Sequence, residues 1–182
     1  MRRLVLDATD PAAQGRFWSA LLDRPITSDN LGVALTDDCD LVFVPSPSPK
    51  MGKNRVHLDL AAQSRNDQHT IVEHAGRLGA VPVDIGQGDV PWVVLADPEG
   101  NEFCVLEPRE EYRGIGPVAA VVTDALDPPA LARVWSRRTG LAVTRAEPEF
   151  ASIRQEATFW LEFVKVTTPK AGTNRLRIAD TP

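Results

Sequence analysis

Apolar and polar positions along the chain follow two periods, and the period switches in a repeating order. Arg3–Ala8 reads as a strand, and Asp10 as a helix N-cap with Pro11 at the first helical position, where its missing N–H costs nothing. Phe17, Trp18, Leu21 and Leu22 carry an apolar stripe at helical spacing to about Leu22. Three short strands are predicted next, near Pro25–Thr27, Gly32–Thr36 and Leu41–Val44. Pro45, Pro47 and Pro49 then form a stiff connection that cannot lie in a central sheet. The order recurs as strand Arg55–Leu60, helix Asp67–Leu78 stopped by Gly79, and strands Val81–Ile85, Val90–Ala96 and Glu102–Glu107. Asp97-Pro98-Glu99-Gly100-Asn101 is the turn between the last two. A third round runs Val118–Thr123, Asp127–Arg138, Leu141–Ala146, Phe150–Arg154 and Thr158–Val166, and Leu176–Ala179 reads as the opening strand of a fourth.

The recurrence extends to residue identities. Asp10–Ser19 returns as Asp127–Ser136 with Asp, Pro, Ala, Arg, Trp and Ser unchanged. Leu41–Leu60 returns as Leu161–Asp180 with eight of twenty positions identical, where average usage gives about one or two. A repeat of this length is a domain-sized unit rather than a solenoid element. The expected organisation is a complete domain over 1–112, made of modules 1–52 and 53–112, and a partial second domain over 117–182. The break falls in the Gly/Pro-containing stretch Glu110–Pro117.

Composition narrows the function classes. The 182 residues carry 20 basic and 25 acidic side chains, a net charge of −5, without a basic patch of the kind that marks nucleic-acid binding. The longest apolar runs, about five residues, fall far short of the ~20 needed to span a bilayer. The opening Met-Arg-Arg-Leu-Val-Leu-Asp meets an acid too early for a secretory signal. Cys39 and Cys104 are too few for a disulfide framework or a structural zinc site. The expectation is a cytoplasmic protein that binds neither nucleic acid nor membrane.

The βαβββ order used in pairs resembles the vicinal-oxygen-chelate superfamily of glyoxalase, bleomycin-resistance and extradiol-dioxygenase proteins. The resemblance rests on Asp10-Pro11 with Phe17–Leu22, on Lys53-Asn54-Arg55-Val56-His57-Leu58-Asp59-Leu60, and on Trp92 with Leu95–Leu106. It implies an α+β fold in which paired modules curl their sheets around a cavity. It further implies up to four metal-ligand positions, on the first and last strand of each paired module. Carried across by motif, these are Arg3, Val44, His57 and Cys104. Arg stays protonated and Val has no lone pair, so two ligands remain, where catalytic zinc normally takes three from the protein. No metal and no cofactor are therefore expected, and glyoxalase I or extradiol dioxygenase activity is not.

What remains is a metal-independent small-molecule binding protein of the glyoxalase/bleomycin-resistance type, with Arg55, His57, Asp59, Trp92, Glu102 and Cys104 lining its cavity. The alternative is a lyase- or isomerase-type enzyme of the same superfamily using His57 or Glu102 as acid or base. A Cys104 thiolate activated by His57 is the covalent variant of that idea. The competing structural readings are that His57 is a hydrogen-bonded half-core residue and Cys104 a small buried hydrophobe. Phosphate-loop and Gly-x-Ser-x-Gly patterns are absent. Because the third module has no fourth to pair with, a homodimer through residues 141–180 is expected, with Phe159–Phe163 at the interface.

Overall fold

The computed structural model describes residues 2–27, 32–37, 39–48, 50–154, 158–168 and 174–180. The Pro49 end of the proline connection lies outside them. The elements follow the expected order, except that the strand expected near Pro25–Thr27 is only an isolated bridge between Ile26 and Val33: β1 (Arg2–Ala8), α1 (Pro11–Leu22), β2 (Gly32–Thr36), β3 (Cys39–Pro45), β4 (Val56–Leu60), α2 (Arg65–Arg77), β5 (Val81–Pro82), β6 (Val93–Ala96) and β7 (Glu102–Val105). After a short 3₁₀ turn at Glu110–Tyr112 come β8 (Val118–Ala125), α3 (Pro128–Thr139), β9 (Ala142–Glu147), β10 (Phe150–Arg154), β11 (Trp160–Lys165) and β12 (Leu176–Asp180). The architecture is α+β.

Caps set the helix starts. The Asp10 side chain accepts from Ala13 N and the Asp127 side chain from Ala130 N, each at 2.9 Å. Helix α2 begins two residues before the expected Asp67. Ser64 is its cap and accepts from Asp67 N at 3.0 Å, while Asp67 reaches back to Gln63 N at 2.7 Å. Asp67 is the third residue of a reciprocal cap rather than the cap itself.

Two sheets form, and their partnering departs from the expected division. The four-stranded sheet has the order β12-β1-β3-β2, and the eight-stranded sheet the order β5-β6-β7-β4-β8-β11-β10-β9. β4 pairs antiparallel with β8, so module two shares a continuous sheet with module three rather than with module one. The sheet thus crosses the proposed boundary between 1–112 and 117–182. The stretch read as a linker is folded down: Tyr112 is 4% exposed, and Ala61 N donates to Pro117 O at 2.9 Å. The physical reason lies in β8, whose Val118–Val122 are buried on both faces, the pattern of a strand with neighbours on each side.

The premise of the dimer expectation changes with this. Module three already has its partner within the chain, and Leu161 and Phe163 are buried in the core beneath α3 rather than displayed for a second copy. Modules one and two still touch, through Trp18 and Phe103, whose rings are 5.2 Å apart, and through the 97–101 turn. No helix among the described residues is long and apolar enough to cross a membrane.

Candidate functional site

Strand alternation decides what the eight-stranded sheet presents on each side. Val56, Leu58 and Leu60 of β4, Phe103 and Val105 of β7, and Leu161 and Phe163 of β11 point into the core with the helices. The opposite face collects His57 and Asp59 of β4, Cys104 of β7, and Trp160 and Glu162 of β11. Register brings these together: Asp59 lies beside Cys104 on one side and Ala120 on the other, and Val122 stands between His57 and Glu162.

Three expected site residues meet here. His57 Nε2 is 3.3 Å from Asp59 Oδ1, both side chains being 11% exposed. With Cys104 Sγ they place three potential donor atoms within 4.8 Å of one another. The Asp59 Oδ1 atom makes no hydrogen bond. Burial first, and the Asp59 charge second, push the Cys104 thiol far up, which keeps it protonated and disfavours its use as a nucleophile. The sequence-based quartet does not assemble: Arg3 and Val44 lie on β1 and β3 of the other sheet. The count of two possible ligands therefore gives way to three, His57, Asp59 and Cys104, a nitrogen, oxygen and sulfur set that suits zinc in number and type. Zn²⁺ held there would supply Lewis acidity toward a ligand oxygen.

The other expected residues divide. Trp92 is half-buried against the cluster that holds Cys104 and Tyr112, its Nε1 donating to Gln87 Oε1 at 2.9 Å and its ring 5.8 Å from the Arg109 guanidinium. Glu102 is held by Lys50 at 2.7 Å and by Asn54 N at 3.2 Å, so it ties a loop rather than facing the cavity. Arg55 pairs with Asp124 at 3.3 Å at the far end of β4.

A cavity of about 480 Å³ opens on this face, lined by Arg109, Tyr112, Phe150, Ser152, Trp160 and Glu162 among others. At its floor the Tyr112 hydroxyl donates to Glu162 Oε1 at 2.7 Å. Burial lifts the Glu162 carboxyl to about 7, against the lowering effect of that hydrogen bond, and the nearby Asp59 charge adds to the rise. Guanidinium groups cover the aromatic walls, Arg145 over Phe150 at 4.9 Å and Arg154 over Trp160 at 4.6 Å. Sequence reasoning missed Glu162 as a site residue, although a lone Glu between buried Leu161 and Phe163 marks a strand with one polar face. It also missed Arg109 and Tyr112, because they sit in the stretch read as linker.

Comparison with known proteins agrees with this architecture. The glyoxalase-like domain family matches residues 3–106, more than half of the chain. Glyoxalase I from Zea mays superposes with a TM-score of 0.62 at 14% identity, covering 90% of this chain and 67% of that one. A putative dioxygenase from Bacillus subtilis superposes with a TM-score of 0.57 at 11% identity, covering 89% of this chain and 62% of its own length. At such identities the likeness establishes the fold, and the chain spans less than two thirds of the Bacillus protein. No curated protein sequence matches. The chain belongs to the glyoxalase-like domain family and has the glyoxalase/bleomycin-resistance fold.

Proposed function

We propose that this glyoxalase-like protein is a metal-independent binder of a small organic molecule, held on the face of the eight-stranded sheet that carries Glu162. The supporting observation is the cavity of about 480 Å³, in the ~300–1,000 Å³ range of small-molecule sites. Its walls join apolar rings, Phe150 and Trp160, to a few polar groups, Arg109, Tyr112 and Glu162. Those polar groups lie outside the His57–Asp59–Cys104 trio, so a ligand can be oriented without a metal. A second reading is favoured by Glu162 itself. A carboxyl lifted to about 7 in a cavity, with a phenol donating to it, is suited to general acid–base chemistry. In that reading Glu162 takes the role expected of Glu102.

A screen of small molecules against chelator-treated protein, read by Trp fluorescence and calorimetry, tests the binding reading. Binding that persists without metal and is lost in Trp160→Ala and Glu162→Gln supports it. Binding that requires stoichiometric Zn²⁺, or that ignores both substitutions, refutes it. Turnover of a bound molecule that vanishes in Glu162→Gln while affinity is kept selects the enzymatic reading.

A further inference from the structure

The lining of the Glu162 cavity has a charge pattern that bears on what it holds. Two guanidinium groups reach it, Arg109 and Arg145, and each is anchored to a carboxylate outside the lining. Glu107 Oε1 accepts from Arg109 Nε at 2.7 Å. Glu147 Oε1 accepts from Arg145 Nε at 3.3 Å and from Nη2 at 2.9 Å. A guanidinium carries five N–H groups in a planar fork, so neither anchor uses all of its donors. The acids in the lining itself are Glu111, which is exposed, and Glu162, which is 6% exposed.

Glu162 has one oxygen engaged and one not. The Tyr112 hydroxyl donates to Oε1 at 2.7 Å, and no described residue donates to Oε2. The charged and titratable groups around it are Tyr112, Arg109 and Glu111 of the 106–117 segment, His57 and Asp59 of β4, and Arg145 of β9. Its direct neighbours on β8 and β10, Val122 and Ser152, carry no charge. Burial favours the neutral form most, and Asp59 and Glu111 add to it, while Tyr112 and Arg109 oppose it. Below about 7 Glu162 is therefore a neutral acid. Its carbonyl oxygen is the better acceptor, and Tyr112 already donates to Oε1, so the proton sits on Oε2. In that state the lining sets two guanidinium groups and an O–H donor against one carboxylate, Glu111.

That set suits a single negative charge. A cation would meet guanidinium groups already stacked on the aromatic walls, Arg145 on Phe150 at 4.9 Å and Arg154 on Trp160 at 4.6 Å. A carboxylate can accept from a guanidinium nitrogen and from the Glu162 O–H together, and hydrogen bonds to a charged group are roughly twice as strong as neutral ones. Phe150 and Trp160 supply apolar area for the rest of the molecule.

We infer that the cavity takes a monocarboxylate on an aromatic body, its charge between Arg109 and Glu162 Oε2 with Arg145 adding to the field, and its ring against Phe150 and Trp160. The inference rests on the cavity reading proposed above and adds the charge of the ligand and the proton it requires. The acid–carboxylate hydrogen bond exists only while Glu162 holds its proton. Affinity therefore falls as pH rises through the Glu162 value near 7, and binding at or above that pH takes up a proton from solvent.

The test is calorimetry of the chelator-treated full chain with three probes of one shape, naphthoate, naphthylmethanol and naphthylmethylamine. Naphthoate should bind about tenfold more tightly than either of the others at pH 6. Its affinity should fall about tenfold between pH 6 and pH 8. At pH 7, titrations in buffers of different ionisation enthalpy should show an uptake of about half a proton. Arg109→Met should weaken naphthoate about tenfold and leave naphthylmethanol unchanged. Tyr112→Phe removes the hydrogen bond that lowers Glu162, so the pH midpoint for naphthoate should move up. The comparison of probes and the proton count use the wild-type protein and stand if a variant does not fold. Tighter binding of the alcohol or the amine keeps the cavity reading and overturns this inference, as does naphthoate binding without proton uptake. Failure of all three probes to bind counts against the cavity reading itself and overturns the inference with it.

Discussion

Replacing Glu99 by Gln tests the contact that joins module two to module one. The side chain is 13% exposed and its two oxygens accept from Thr9 N, Asp10 N and Arg175, itself 9% exposed. Burial alone would raise its pKa, but the hydrogen bonds from Asp10 and Thr9, with the Arg175 charge, outweigh that and hold it below the usual Glu range. Gln keeps the shape, retains one oxygen, and turns an NH₂ toward a donor. The Arg175 charge loses its counterion as well. A hydrogen bond to a charged group contributes about 1.5–3 kcal/mol, so losing one, with a donor left facing a donor, should cost about 3 kcal/mol. For a domain of this size that corresponds to a fall in Tm of about 6–12 °C at pH 7. The pH dependence follows from the sign of the shift. A carboxylate with a depressed folded pKa contributes stability above its unfolded pKa and loses it as pH falls through the folded pKa. Melting curves by circular dichroism should therefore show wild type and Glu99→Gln far apart at neutral pH and converging in acid. A difference under about 2 °C at pH 7, or one that stays constant down to pH 3, would refute the reasoning.

Three further outcomes are expected. Tyr112→Phe removes the hydroxyl that lowers Glu162, so the Glu162 carboxyl should titrate above its present value of about 7, as read by carbon-13 NMR of the side chain. Phe163→Ala, at a side chain 0% exposed beneath α3, should cost about 3–5 kcal/mol in denaturant unfolding, the penalty of a core cavity; a near-neutral effect would contradict its burial. Cys104, buried and kept as the thiol by burial and by Asp59, should resist iodoacetamide in the folded protein and react once urea unfolds it.

Element order was legible because its signals are local. Asp10-Pro11 and Asp127-Pro128 each announce a helix start within a few residues, and alternation in Phe159–Val164 separates a core face from a polar one without any knowledge of the partner strand. Partner choice is not local. A strand's periodicity states which side chains share a face but says nothing of which edge receives the next strand. Modules one and two are adjacent in the chain and resemble one continuous family domain, which favoured pairing them. The contrary sign was the apolar run Val118–Val122, too apolar on both faces for the edge of a lone module.

That single non-local choice determines the chemistry of the site. Had β4 paired with β1, His57 would have faced Arg3 and Val44, and a guanidinium would have stood on the side where β8 now lies. With β8 alongside β4, Glu162 arrives on the next strand but one, and the 106–117 connection has to cross the open face on its way to β8. Tyr112 and Arg109 ride on that crossing. The Tyr112–Glu162 hydrogen bond at 2.7 Å is therefore a product of topology. It also explains why Glu162 is buried enough to hold its proton near neutrality, since the strap that brings the phenol also covers the carboxyl. His57, Asp59 and Cys104 come from one module and would have met under either pairing. The residues that distinguish this cavity come from the neighbouring module and from the segment between the two.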